Sequence, residues 1–223
     1  MTFSIAARCP ETGQIGYAVT TSSVCVGARV GAVAEGCVVF SQARTDPRLH
    51  AVGLKAWAET ASAQAALDAM RDAAVAPHWR QLGVLPATGE PLHLTGDSCL
   101  PHCGGLTGAN SLALGNFLGT AEVLPAIVHG FETGEGSLAE RMLAGLKAGE
   151  AEGSERDPLQ SAAVVVLGGE GLRDVDLRVD ASSDPLADLG VLLADWLSKA
   201  PAYRLRALDP DAAPSSSSVE HSG

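Results

Sequence analysis

The chain has 223 residues, of which 46% are hydrophobic, 4% aromatic and 18% charged, and its formal net charge is −11. This length is enough for one large domain with a substantial core of mostly small apolar side chains. The acidic balance argues against a nucleic-acid-binding protein, which needs surplus Lys and Arg for phosphate contacts, and three Trp, two Tyr and four Phe offer few platforms for base stacking.

The first forty residues predict four strands. Thr2–Arg8 is an apolar, β-prone run, and turn residues at 10–13 connect it to a second strand over residues 14–20. Two more runs, over residues 28–34 and 37–42, are separated by a glycine-containing turn. The opening of the chain therefore predicts two strand pairs.

Two helices and four short strands are predicted next. Asp46 is the expected N-cap of the first helix, with Pro47 at its first helical position, and Ser62 is the expected N-cap of the second. The strand patterns that follow are shorter and cover residues 80–85, 92–94, 105–107 and 111–114.

A second pair of helices follows, over about residues 121–131 and 138–149. The later helix has a capping-box signature, in which Ser137 is followed three residues on by Glu140. Apolar residues recur at helical spacing after this box, so we expect an amphipathic helix with one face in the core.

The remaining elements are a hairpin and a final helix. Residues 162–167 form a continuous apolar run, and residues 175–179 alternate apolar and charged side chains, which is typical of a half-exposed strand. Asp184-Pro185 predicts the start of the last helix. We expect the chain to leave the domain near Pro201 and to end in a flexible, Ser-rich segment, residues 214–223.

The predicted order of elements is ββββ, αα, ββββ, αα, ββ, α. Strands grouped in hairpins and helices grouped in pairs do not fit an alternating parallel α/β sheet. They predict an α+β fold in which two antiparallel sheets pack face to face with helices outside, a four-layer αββα sandwich. We expect one domain over residues 1–200, with residues 201–223 as a C-terminal extension.

The compartment is predicted from three observations. The N-terminus lacks a basic start followed by a long apolar run, and no apolar stretch is long enough to cross a bilayer. An odd number of scattered cysteines fits a reducing compartment. These are Cys9, Cys25, Cys37, Cys99 and Cys103. We therefore expect a cytoplasmic protein that does not associate with membranes.

Common motifs for nucleotide binding and serine hydrolysis are missing from the sequence. It contains no Gly-x-x-x-x-Gly-Lys-Ser/Thr loop, no His-Glu-x-x-His and no Gly-x-Ser-x-Gly elbow. The glycines at 168, 169 and 171 stand between two predicted strands, where a turn explains them. We predict no cofactor.

One cluster has the residue types of a metal site: His93, Cys99, His102 and Cys103. The spacing Cys-x-x-His-Cys is not that of a paired structural zinc site, so buried thiols and loop histidines are the simpler interpretation and no metal is predicted. The acidic residues of the strand 174–180 are likewise better explained as a solvated face.

The strongest candidate for chemistry is Thr2. A small residue after the initiator permits removal of Met1, and Thr2 would then carry its hydroxyl and its own α-amino group. The pKa of such an amine is about 7.7–8.0, so part of it is neutral near pH 7 and can act as a base. A threonine hydroxyl needs an adjacent base of this kind to become a nucleophile.

The sequence from residue 2 to residue 19, TFSIAARCPETGQIGYAV, resembles the start of the domain-of-unknown-function family 1028. The likeness extends collinearly over about residues 1–200. The later segments that carry it are residues 80–84, 95–96, 115–118, 138–141 and 175–180. That family is similar in fold to the N-terminal-nucleophile (Ntn) hydrolases, which are αββα sandwiches.

The resemblance implies amide hydrolysis, in which Thr2 attacks a carbonyl, its amine transfers the proton and polar groups stabilise the oxyanion. From its position at a strand end, Asn116 is expected to be a donor to the oxyanion or the amide. Many relatives carry Ser-Lys after the second strand, whereas residues 20–23 here are Thr-Thr-Ser-Ser. Arg44 is a candidate replacement for that cation. The strand ends near Thr2 predict the substrate-binding residues as Ser22, Ser23, Arg44 and Asp46.

Three functions stay open at this point. The first is an Ntn-type amidohydrolase acting on an amide or ureido bond of a small polar metabolite. The net negative charge of the chain favours neutral or cationic substrates, unless Arg44 lies in the pocket. The second, motivated by the missing lysine, is a non-catalytic binding or assembly protein on the same scaffold. The third is a metal protein. The small-residue helices and acidic surface are also compatible with a homodimer.

Overall fold

The structure is a computed structural model, and it describes residues 2–220; Met1 and residues 221–223 lie outside this description. Ten strands are found in residues 2–220. In chain order they are β1 (Thr2–Arg8), β2 (Ile15–Thr21), β3 (Gly31–Ala34), β4 (Cys37–Ala43), β5 (Arg80–Pro86), β6 (Leu92–Thr95), β7 (Gly104–Thr107), β8 (Ser111–Asn116), β9 (Ser161–Leu167) and β10 (Arg173–Val179).

The described residues also contain six α-helices, which alternate in groups with the strands. They are α1 (Arg48–Thr60), α2 (Ala63–Ala73), α3 (Val123–Thr133), α4 (Leu138–Glu152), α5 (Pro185–Leu208) and α6 (Ser216–Glu220). The caps predicted at Ser62 and Ser137 are present: the Ser62 side chain accepts a hydrogen bond from Ala65 N, and Ser137 and Glu140 form the reciprocal capping box.

The strands form two antiparallel sheets, as predicted. The larger sheet has the order β10-β9-β2-β1-β8-β7 and the smaller sheet has the order β3-β4-β5-β6. Helices α3, α4 and α5 pack on the outer face of the larger sheet, and helices α1 and α2 pack on the outer face of the smaller one. The predicted α+β sandwich of two antiparallel sheets is therefore confirmed.

Alternation along β1 shows how this sequence fills a layered core. Phe3 and Ile5 are fully buried against helices α3 and α4, whereas Ala6 belongs to the cluster between the two sheets. Small residues let the sheets approach closely: a Cβ added at Gly83 of β5 would lie 2.6 Å from Leu114 Cδ1 of β8. One face of β1 therefore looks outward to the helices and the other looks into the space between the sheets.

Three predicted boundaries are corrected by the structure. The strand predicted over residues 28–34 is reduced to β3 because residues 26–28 form a 3-10 turn. Helix α1 begins at Arg48 with Pro47 as its N-cap, one residue later than predicted, although the Asp46 carboxylate still accepts the Arg48 N–H at 3.2 Å.

The third correction is at Pro201, where we expected the chain to leave the domain. Helix α5 instead continues through Pro201 to Leu208. Contacts on both sides of Pro201 attach it to β10: the Trp196 Nε1–H···O=C Asp174 bond of 2.7 Å and the Arg204–Asp174 ion pair of 2.8 Å. These tertiary contacts outweigh the missing N–H of one proline. The predicted flexible end falls partly on residues 221–223, which lie outside the described residues.

No helix within residues 2–220 combines the length and the apolar character needed to cross a membrane.

Candidate functional site

Thr2 stands at the amino end of a central strand of the larger sheet. Strand β1 lies between β2 and β8, and the register places Thr2 opposite Asn116 on β8, while Phe3 is opposite Thr20 on β2. The Thr2 side chain is on the same face as Ser4, which contacts the smaller sheet, and Thr2 is 4% exposed. Its hydroxyl therefore lies at one end of the layer between the sheets.

Hydroxyl and amide groups surround this end of the layer. The Thr2 Oγ1 atom is 3.4 Å from Thr21 Oγ1 on β2. Ser4 Oγ donates to Gln42 Oε1 of β4 at 2.9 Å, so a hydrogen bond joins the two sheets here. Each of these groups is buried, and buried polar groups persist in a core only when they are hydrogen-bonded.

Gln81, at the start of β5, is the centre of this network. Its Oε1 atom accepts hydrogen bonds from Gln42 Nε2 at 2.7 Å and Asn116 Nδ2 at 3.1 Å, which uses both lone pairs of the oxygen. Its Nε2 atom lies 2.9 Å from Thr95 Oγ1 and from the Gly104 and Gly115 carbonyl oxygens, so its two N–H groups are shared among three acceptors. Gln81 thereby fixes the orientation of the Gln42 and Asn116 amides.

Asn116 is the last residue of β8, and the backbone turns sharply after it. Phe117 has a positive φ of 59°, and its N–H donates to Leu100 O at 3.1 Å. Asn116 commits one N–H of its amide to Gln81, and an amide nitrogen carries two. This buried residue, 3% exposed, can therefore present a second donor beside Thr2.

Ser22 follows β2 and is buried next to an acidic residue. Its backbone N–H donates to Glu155 Oε2 at 3.1 Å, and its carbonyl oxygen accepts from Gln160 Nε2 at 2.7 Å. Burial raises the pKa of the Glu155 carboxyl, and hydrogen bonding from Ser22 offsets part of that shift. Ser22 directly follows Thr21, whose hydroxyl is 3.4 Å from Thr2 Oγ1, and its role in substrate binding remains a prediction.

Ser23 and Arg44 have partners of their own. Ser23 is exposed, and its hydroxyl accepts a hydrogen bond from Arg29. Arg44 is also exposed, and its guanidinium lies 3.7 Å from the centre of the Trp79 ring, a cation–π contact. The substrate-binding roles of these two residues remain predictions.

Asp46 is held by its neighbour Arg48. Its two carboxylate oxygens accept from Arg48 Nε and from one terminal guanidinium nitrogen, both at 2.8 Å. The Arg48 side-chain hydrogen bonds lower the pKa of Asp46 to about 2. These bonds to Arg48 explain Asp46 as a residue that stabilises the start of α1. A role in substrate binding remains a prediction.

The chain has three lysines, and all of them lie on helices: Lys55 on α1, Lys147 on α4 and Lys199 on α5. In the stretch after β2 where the family resemblance predicted a lysine, residues 20–23, the side chains are hydroxyl groups, and those of Thr20, Thr21 and Ser22 are buried. The environment of Thr2 is consequently built mainly from uncharged polar groups, with Glu155 as the acidic exception.

The cysteines and histidines proposed as an alternative metal site are not arranged as one. Within the part of the chain that the structure describes, no group of three or more His, Cys, Asp or Glu side chains is placed to hold a metal ion. Cys103 Sγ instead approaches the Cys99 carbonyl oxygen at 3.8 Å, and Cys99 Sγ approaches Arg80 O at 3.6 Å.

Sequence reasoning missed Ser4, Gln42, Gln81 and Glu155. A signal for two of them was present, since Gln42 and Gln81 are amide residues at the ends of otherwise apolar strands, where a buried amide needs a partner. Glu155 lies in a polar loop segment, Gly-Ser-Glu-Arg-Asp, which carries no comparable pattern.

Comparison with known proteins gives the family. A model of the family of unknown function DUF1028 matches residues 2–189 of the 223. The chain belongs to this family. The solved structure of protein SPO2555 from Silicibacter pomeroyi, also a DUF1028 protein, is 31% identical, with a TM-score of 0.80 over 86% of this chain and 88% of that one. No curated protein matches the chain.

The part matched to DUF1028 contains the whole candidate site. It begins at Thr2, includes all ten strands and ends at Leu189, in the second turn of α5. The network around Gln81 and the loop with Glu155 therefore belong to the DUF1028 portion, and most of α5 follows it.

Proposed function

We propose that this DUF1028 protein is an Ntn-type amidohydrolase, with Thr2 as the N-terminal nucleophile after removal of Met1 and a small polar amide or ureido compound as substrate. One observation carries the proposal: Thr2 begins a central strand, with its hydroxyl turned into a layer of hydrogen-bonding groups between two sheets. The sandwich of two antiparallel sheets supports the same assignment, because it is the architecture that the sequence resemblance to an Ntn-like family implies.

The chemistry follows from two groups on one residue. The neutral α-amino group of Thr2 takes the proton from Oγ1 as that oxygen attacks the substrate carbonyl carbon. The C–N bond then breaks, the leaving nitrogen receives the proton, and water hydrolyses the resulting ester of Thr2. In this proposal the second N–H of Asn116, whose amide is oriented by Gln81, stabilises the oxyanion of the tetrahedral intermediate.

The groups around Thr2 favour a substrate whose reacting group is small, polar and uncharged. Thr21, Gln42 and Asn116 offer hydroxyl and amide groups that both donate and accept hydrogen bonds, and Thr2 is nearly inaccessible, at 4% exposure. An amide or ureido group matches this mixture of donors and acceptors. The five unpaired cysteines fit a reducing cytoplasm, where we place the protein.

A substrate screen tests the proposal. The purified protein lacking Met1 is incubated with a panel of small amides and ureido compounds, and release of ammonia or amine is measured. Turnover is expected for at least one compound, and Thr2→Ala is expected to reduce it by about 10³-fold or more, equivalent to ~4 kcal/mol.

The matched control is Thr12→Ala, which removes an exposed threonine from the β1–β2 turn. It is expected to retain the full rate. Full activity of Thr2→Ala would exclude Thr2 as nucleophile. Ligand-dependent thermal stabilisation without product, equal in the parent protein and Thr2→Ala, would instead identify a binding protein.

A further inference from the structure

Residues 154–156 contact the segments that follow β8 and β2, the two strands on either side of β1. In the larger sheet β1 separates β2 from β8, and Leu118, just after β8, forms an antiparallel bridge with Glu155. Gly119 N donates to Ser154 O at 2.9 Å, and Arg156 N donates to Phe117 O at 3.4 Å. This segment therefore borders the continuation of β8.

The Glu155 carboxylate connects the same segment to the end of β2. Its Oε2 atom accepts the Ser22 N–H at 3.1 Å. Glu155 thus reaches both neighbours of β1, at Leu118 on one side and at Ser22 on the other. Because Phe3 pairs with Thr20, continuing the register puts Thr2 beside Thr21. Ser22 then lies one residue further along, next to the backbone nitrogen of Thr2.

The second carboxylate oxygen of Glu155 is also buried. Glu155 is 6% exposed, and its Oε1 atom is buried without a hydrogen-bond partner among residues 2–220. A buried carboxylate in this state requires either a proton or a cation nearby, because desolvation disfavours the charged form. Burial raises the pKa of Glu155, which expresses the same cost of a buried negative charge.

We propose that Glu155 is a positioning residue: its Oε1 atom accepts a hydrogen bond from the α-amino group of Thr2 when Met1 is absent, and so holds that amine beside the Thr2 hydroxyl. The inference rests on the proposed function for its catalytic meaning, but the contact itself needs no turnover. In the protonated state the amine and the carboxylate form a buried ion pair, and in the neutral state the amine keeps one N–H on Glu155 and its lone pair toward Oγ1.

The test uses protein in which Thr2 is the first residue by design. A ubiquitin-like fusion partner is cleaved directly before Thr2, and the product is labelled so that the Thr2 amine is followed by NMR during a pH titration. A neighbouring carboxylate favours the ammonium, so we expect an amine pKa above the usual ~8 in the parent protein. In Glu155→Gln it is expected to fall by about one unit or more.

Glu152→Gln is the matched control, because Glu152 is exposed and lies only three residues earlier. It should leave the amine pKa unchanged. Glu155→Asp keeps the charge but moves it farther from the Thr2 amine, because its side chain is one methylene shorter, and it should give an intermediate amine pKa. It also provides a second variant if Glu155→Gln does not fold. An amine pKa that is the same in the parent protein and in whichever Glu155 variant folds would overturn the inference.

The two proposals fail in different ways. If the amine pKa falls in Glu155→Gln but no amide is hydrolysed, the contact exists and the proposed hydrolase activity is wrong. If an amide is hydrolysed through Thr2 and the amine pKa does not move, the activity stands and Glu155 does not position the amine. With turnover, the acid limb of the kcat/KM profile should shift together with the amine pKa.

Discussion

Thr2 and Asn116 are directly opposite each other in the β1–β8 pair, so their side chains share the face that looks toward the second sheet. The pairing joins the first residue of one strand to the last residue of the other, some 114 positions apart in sequence (116 − 2). A hydroxyl and an amide are thereby placed side by side by backbone register alone, without any flexible loop between them.

Replacement of Asn116 tests its assignment as oxyanion donor. Asn116→Ala is expected to reduce kcat for any substrate found by about 10²-fold, because one donor to the developing negative charge is lost. The fall should appear in kcat more than in KM, and steady-state kinetics measures both. Asn110→Ala, which removes an amide near the other end of β8, should change neither; an equal loss in both variants would indicate a structural effect.

Gln81 should be essential for stability. Gln81→Met keeps the approximate size but removes the acceptor used by Gln42 and Asn116. Since each buried polar group left unsatisfied destabilises by about 1–3 kcal/mol, we expect the free energy of unfolding to fall by about 2–4 kcal/mol, measured with urea. Gln64→Met on the exposed face of α2 is the control and should stay within about 0.5 kcal/mol. Equal stability of the two variants would contradict this network.

The Asp46–Arg48 pair predicts a pH dependence at the acid end. The folded-state pKa of Asp46 is lowered to about 2, below the ordinary value near 3.9, so the pair stabilises the fold above about pH 4 and this contribution disappears as the pH falls toward 2. Asp46→Asn, whose side-chain oxygen can still accept the Arg48 N–H, should lose stability less steeply over that interval in acid titrations of unfolding. The exposed-residue variant Asp97→Asn should follow the parent curve. A parent-like slope in Asp46→Asn would refute this assignment.

Local sequence signals were sufficient for the architecture. The β-prone run of β1, the turn residues after Arg8 and the caps at Ser62 and Ser137 are short-range features, and each corresponds to an element of the structure. The order of hairpins and helix pairs then leaves few arrangements that bury every apolar face. The end of α5 was missed because contacts with β10, distant in sequence, carry the helix past Pro201.

The site was only partly predictable for the same reason. Thr2 and Asn116 were predicted as site residues, and the structure pairs them at strand ends, while their chemical roles remain predictions. The partners that orient them were not, since Gln81 reaches Asn116 across the gap between two sheets. Glu155 approaches Ser22 from a loop that lies 133 positions later in the chain. Contacts of this kind depend on sheet packing, which no local pattern encodes.

The N-terminus of the purified protein tests the central claim most directly. Intact-mass measurement, followed by sequencing of the N-terminal peptide, is expected to show a chain lighter by one methionine residue, with Thr2 first and its α-amino group free. A preparation that hydrolyses an amide while retaining Met1, or while carrying a blocked Thr2 amine, would contradict the account.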